Sequence, residues 1–177
     1  MAMEGLDLGP CQILFGAAGA EADIGESQGN VVVNFNMELA DLKSDQFGTL
    51  PKDQVITGLG ASVVVPMAEY TLENLARALN QSVKRINEDK GFWGGTLVGT
   101  KLSDKAQSLL LKKYVDGVPS TDTNDWVRFP KAAPSGSISI SFGASDQRII
   151  ETTFTAFPDA SNRLYVFGDE TAATSGS

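Results

Sequence analysis

Histidine is absent from this chain of 177 residues, and cysteine occurs once. The first absence removes Ser-His-Asp and Cys-His catalysis, histidine metal sites and histidine pH switching together. Cys11 has no partner for an internal disulfide. Its neighbours Pro10, Gln12, Ile13 and Leu14 mark a buried packing residue rather than a nucleophile, in keeping with a reducing compartment. Basic residues are few, 14 against 22 acidic ones, for a formal net charge of −8. Counterion release rewards basic patches, so this balance argues against a grip on a nucleic-acid backbone. It suits solubility, or a wall that polyanions pass without sticking. No apolar run approaches the roughly 18 residues of a membrane span. The segment Met1 to Gly9 is acidic and has no basic start, so it does not read as a signal peptide. The expectation is a soluble protein made in the cytoplasm.

Hydrophobic residues make up 42% of the chain, enough for one ordered domain over 1–177 without disulfide or metal support. The dominant signal is alternation with a period of two, the mark of half-buried strands. From Asn30 to Ser44, Val31, Val33, Phe35, Met37 and Leu39 share one face, and Val32, Asn34, Asn36, Glu38 and Ala40 the other. From Gln54 to Val65, Val55, Thr57, Leu59, Ala61, Val63 and Val65 align. The turn-rich segment Asp45 to Asp53 lies between them. Together these predict an unusually long antiparallel hairpin. Fourteen residues at about 3.3 Å each reach roughly 45 Å, where ordinary strands have five or six residues. Such a hairpin projects beyond its own body and needs a partner to order it.

A helix is predicted from Thr71, its N-cap, through Ile86, with Leu72, Leu75, Ala76, Leu79, Val83 and Ile86 as the packing stripe. Gly91 to Gly95 reads as a loop, and strands follow at Gln107–Val115, Trp126–Phe129, Gly136–Phe142, Arg148–Phe157 and Arg163–Phe167. In the third of these, Ile138, Ile140 and Phe142 oppose Ser137, Ser139 and Ser141. Residues 1–8 read as an arm, 45–53 as a projecting loop and 170–177 as a flexible tail. The pattern predicts a mainly β protein: an antiparallel sandwich or barrel with one flanking α-helix and a long projecting hairpin.

No constellation for catalysis, cofactor or metal emerges. Gly58-Leu59-Gly60 lies inside a strand and opens no helix, so it is not a nucleotide loop. Asp41, Asp45 and Asp53 lack the spacing of a calcium loop. Glu21 with Glu26, or Asp122 with Asp125, are the carboxylate pairs a glycosidase reading would need, and no strand-end pairing marks them. The expectation is a protein that is not an enzyme and needs no cofactor.

Three segments in order carry a resemblance. Ala22-Asp23-Ile24-Gly25-Glu26-Ser27-Gln28-Gly29 precedes the first long strand; Ser44 to Gly58 reads SDQFGTLPKDQVITG; and Val63-Val64-Val65-Pro66-Met67-Ala68-Glu69-Tyr70-Thr71-Leu72-Glu73-Asn74-Leu75 joins strand to helix. Over residues 9–80 the chain resembles the major tail protein, or tail-tube, family of long-tailed bacteriophages. The resemblance implies a virion structural protein whose copies form six-subunit rings, stacked into a hollow tube that conducts double-stranded DNA without binding it specifically. The implied partners are further copies of the chain and other tail proteins: tape measure, terminator, and baseplate or tip. An inner-tube or tail-completion protein shares much of this description.

On that footing Asp45, Gln46, Phe47, Gly48, Thr49, Leu50, Pro51, Lys52 and Asp53 are the candidate contact with an adjoining subunit or ring, Phe47, Leu50 and Pro51 supplying apolar anchors. Asn34, Asn36, Glu38, Ser139, Ser141 and Glu151 are the candidate lumen residues, since uncharged polar and acidic groups let phosphate slide. The alternative from the residues is a β-sandwich binding module, which would need an exposed aromatic groove. Only Trp93 and Trp126 hint at one.

Overall fold

The computed structural model describes residues 9–42, 52–69, 71–79, 84–85, 91–93, 98–138, 140 and 148–171. The protein is mainly β. Its strands are β1 (Cys11–Ala17), β2 (Ala20–Asp23), β3 (Val32–Leu42), β4 (Asp53–Met67), β5 (Lys84–Arg85), β6 (Phe92–Trp93), β7 (Gln107–Val115), β8 (Val118–Pro119), β9 (Trp126–Ser135), β10 (Ile150–Ala156) and β11 (Val166–Phe167), with one α-helix, α1 (Leu72–Ala78), among the described residues. Nine strands form one antiparallel sheet in the order β2-β1-β7-β9-β10-β4-β3, with β8 beside β7 and β11 beside β9. Strands β5 and β6 pair separately.

The sheet bends back on itself. Two strands, β7 and β9, separate β1 from β10 in the order. A flat sheet would hold β1 and β10 about 14 Å apart, yet Phe15 and Phe154 meet with ring centroids at 5.0 Å. Around that pair Ile13, Val63, Val65, Leu109, Phe129 and Ile150 are buried. Between β2 and β3 the chain crosses to β4: Ala68 N–H donates to Glu26 O at 2.9 Å and Gln28 N–H to Pro66 O at 3.1 Å. Gly25 permits this crossing with a φ of +83°, a conformation other residues adopt at a cost of about 1 kcal/mol or more.

Several expected elements differ. The helix is shorter than predicted and ends at Ala78, because Lys84–Arg85 leave helical geometry to pair with Phe92–Trp93, which had read as loop. Thr71 is the N-cap, its Oγ1 accepting from Asn74 N–H at 3.1 Å. The helix buries Asn74 and Ala78 and packs Leu75 against the core but leaves Leu72 and Leu79 exposed, so only part of the predicted stripe faces inward. The strand expected at Trp126–Phe129 continues through two prolines to Ser135. Pro130 is tolerated because the register with β7 shifts opposite it, and Pro134 lies past the start of β7. The described residues of Gly136–Phe142 form no strand: Gly136 turns the chain away with a φ of +93°. Ser139 and Ser141 lie outside the described residues.

Candidate functional site

The hairpin of β3 and β4 is built as its alternation predicts. Register partners run from Val32 opposite Val64 to Leu42 opposite Asp53, and Lys52 N–H closes toward the tip on Leu42 O at 2.8 Å. Strand β10 pairs only with the Ser62–Met67 part of β4. Below Ser62 the hairpin leaves the body, and β3 forms one end of the sheet's strand order.

The face that lines the core continues onto this projection. Val65, Val63 and Ala61 are 0%, 1% and 5% exposed, and Leu59, next in line on β4, is 60% exposed. On β3 the same face carries Phe35 opposite Ala61 and Met37 opposite Leu59. A register shift between Glu38 and Leu39 then passes over Thr57 and sets Ile56 opposite Leu39. Direct partners point to one side, so the stripe reads Phe35, Met37, Leu59, Leu39 and Ile56. Val55 and Thr57, expected in line with Leu59, do not follow it. All five stripe residues are exposed. A monomer scatters single apolar residues over its surface, whereas a contiguous apolar strand face marks an interaction surface.

At the root of the stripe stands an aromatic trio that the sequence pattern did not mark. Phe35 meets Tyr165 at 4.8 Å and Phe167 at 5.8 Å between centroids, and Tyr165 meets Phe167 at 5.6 Å. The rings come from segments 130 residues apart in the chain, which is why no local pattern announces them; all three remain exposed.

The opposite face is polar between Asn34 and Glu38, and apolar beyond them at Val32, Val64, Val55 and Leu42. Asn34, Asn36 and Glu38 lie opposite Ser62, Gly60 and Gly58, and β10 extends this face with Thr155 opposite Ser62 and Glu151 opposite Pro66. Four of the six lumen candidates therefore share one face. No basic residue occurs in β3 from Val32 to Glu38, in β4 from Gly58 to Pro66, or in β10. The Glu38 carboxylate folds over Gly58, where a Cβ would come to 3.0 Å from Oε2.

Two of the segments behind the tail-protein resemblance meet in space. Asn74, buried on α1, donates from Nδ2 to Ile24 O at 2.7 Å and to Glu69 O at 3.2 Å, while its Oδ1 accepts from Arg77 Nη1 at 3.1 Å. The turn at Asp23–Gly29, the end of β4 and the start of α1 form one joint that anchors the hairpin's base.

Of the interface candidates Asp45 to Asp53, only Lys52 and Asp53 are described; both are exposed, and Asp53 Oδ1 accepts from Gln54 N–H at 2.8 Å. Asp41 accepts from Gln54 Nε2 at 2.8 Å. Among the described residues no group of three His, Cys, Asp or Glu side chains is placed to hold a metal. Asp125 accepts from Ser120 Oγ at 2.8 Å and pairs with Lys113 at 3.0 Å; the Ser120 hydroxyl, then Lys113, hold its carboxyl below the usual range. Asp122 caps its own turn by accepting from Asn124 N–H at 3.0 Å. Trp126 donates from Nε1 to Ser120 O at 2.9 Å, and Lys112 Nζ sits 4.1 Å from the centre of its ring, so this tryptophan offers no open platform. Cys11 is half-buried rather than fully buried; burial pushes its thiol up, outweighing a backbone hydrogen bond that lowers it. No helix among the described residues is long and apolar enough to cross a membrane.

No protein-family model matches the chain, and no curated protein matches it.

Proposed function

We propose that this protein is a structural subunit of a phage tail tube, polymerising as stacked, six-fold rings into a conduit for DNA. The observation that carries it is the core face of β3 and β4 running uncovered past the body, from buried Val63 to exposed Leu59. An apolar strand face and a free strand edge on one arm are ordinarily liabilities. They make sense where a neighbouring copy covers both, and head-to-tail contacts of this kind close into rings. The bent sheet is then the sandwich or barrel of the subunit, and the polar face with Asn34, Asn36, Glu38 and Glu151 is its lumen side, acidic and uncharged where DNA passes. Localisation follows as the virion tail after synthesis in the host cytoplasm, with tape-measure, terminator and tip proteins as further partners.

Electron microscopy and sedimentation of the purified chain test this. Rings or tubes are expected as concentration rises. A chain that stays monomeric at every concentration, with tail extracts added as nucleus, refutes the proposal.

A further inference from the structure

Strand β11 shares one edge of β9 with β10. Because β7 occupies the other edge along Trp126–Phe129, the pairs Val166–Arg128 and Phe167–Val127 fall in line with β10's pairs at Ala132–Ser135. Backbone bonds bracket the segment, Phe157 N–H to Lys131 O at 2.7 Å and Gly168 N–H to Trp126 O at 2.9 Å. Between them the hold is thin: two ladder pairs, Leu164 packed on the core, and polar ties near the surface. Arg128 Nη1 meets Glu170 at 2.7 Å, and Arg163 Nη2 meets Glu170 at 3.2 Å and Asp159 at 2.9 Å. Yet this segment supplies Tyr165 and Phe167, which lie against Phe35 at the hairpin root, three strands away from β9 in the sheet.

We propose that residues 158–171 are a displaceable strap, which restrains the hairpin root in the free subunit and gives way to a second copy during assembly. This rests on the tail-tube proposal. Segments that open first are those with few buried apolar contacts and exposed hydrogen bonds, and the strap has both properties. Its contact with Phe35 takes up part of a ring that is still 49% exposed, so a neighbour that covers the whole stripe must share or replace that contact. The second copy is the occupant because its own hairpin carries an eleven-residue strand whose outer edge pairs with no other strand among the described residues, and an exposed apolar face. Opening the strap frees a β9 edge for a strand of that kind.

Val166 and Arg128 are direct ladder partners, close enough for a disulfide. In a Cys11→Ser background, Val166→Cys with Arg128→Cys should abolish assembly when oxidised and restore it on reduction, which also controls for folding. Conversely, Tyr165→Ala with Phe167→Ala should shorten the assembly lag severalfold. Equal assembly in both redox states, or slower assembly by the alanine pair, overturns the strap. If the unmodified chain forms no tubes at all, the tail-tube proposal fails separately. Hydrogen exchange of the monomer then decides for the strap: the alanine pair should speed exchange at Phe35 to Leu39 severalfold and leave Leu109 and Phe129 unchanged. Unchanged exchange at Phe35 to Leu39 ends the idea.

Discussion

Val63 and Leu59 project from the same side of β4, four residues apart; the first is buried in the core beside its ladder partner Phe154, and the second is 60% exposed. The core does not stop for want of apolar residues. It stops because β10 ends and the hairpin goes on. Covering five half-exposed stripe residues returns about 4–8 kcal/mol, taking roughly 1.5–3 kcal/mol for each fully buried side chain. Association alone costs about 4–15 kcal/mol. One such contact is therefore marginal, and the proposed tube is the arrangement in which every subunit would make several.

Met37→Asp with Leu59→Asp separates assembly from folding. Both side chains are exposed in the monomer, so its stability should fall by no more than about 1–2 kcal/mol, the cost of two poor strand formers with like charges on directly opposed positions. Polymerisation should fail. Phe154→Ala is the contrast, costing about 3–5 kcal/mol because it opens the buried Phe15 contact. Denaturant titration with sedimentation of each variant reads both quantities; normal tubes from the aspartate pair would show that the stripe is not an interface.

Asn36→Lys with Glu38→Lys places positive charge on the polar face while leaving the apolar stripe intact. Tubes of ordinary length are expected, with DNA passage slowed and its rate sensitive to salt, as phosphate attraction requires. Ejection kinetics of phage carrying this variant supply the measurement, and unaltered kinetics in low salt would place these residues away from the channel.

The long hairpin was legible because period-two alternation runs through β3 and the inner half of β4, even where both faces of the projection are exposed. Strand β7 follows its predicted bounds for a different reason: Ser108 to Leu111 are a short continuous run buried on both faces. Pro130 and Pro134 concealed most of β9, since a proline's cost depends on which edge its missing N–H faces, and that is a property of the sheet. Ile138, Ile140 and Phe142 made the opposite error, an alternation with no strand in its described part. The shift opposite Thr57 moves Ile56 onto the stripe, and such a shift leaves no local mark. Leu75 of the α1 stripe packs on the core as expected, but Leu72 and Leu79 misled because Asn74, the residue least suited to a core by type, is buried there to bond Ile24 O.

Asn74→Leu tests that joint. The substitution keeps the branching of the side chain but removes both amide donors and strands the carbonyl of Ile24 in a buried setting, for an expected loss of at least about 1–3 kcal/mol. Because the joint fixes the base of the hairpin, exchange at Gln28 and Ala68 should rise before global unfolding. Thermal denaturation within error of the parent chain would remove the joint from the list of what holds the fold.

The pH dependence of the strap has a definite sign. The backbone N–H of Arg163 holds the Asp159 carboxyl below the usual carboxylate range; burial opposes it, and the Arg163 guanidinium and the N–H of Ser161 add to the lowering. The Thr171 hydroxyl and N–H do the same for Asp169. A carboxyl whose folded pKa is lowered favours the folded state above its unfolded value, about 3.9. That contribution disappears as pH falls below the unfolded value and through the folded one. No histidine is present to titrate between about pH 5 and 8. Strap occupancy, followed by the Phe157 and Gly168 amide resonances, should therefore be flat from about pH 8 to pH 5 and fall below about pH 4. Asp159→Asn should weaken the strap at neutral pH and flatten the acid transition. A change centred near neutrality would mean that some group other than these carboxylates controls the strap.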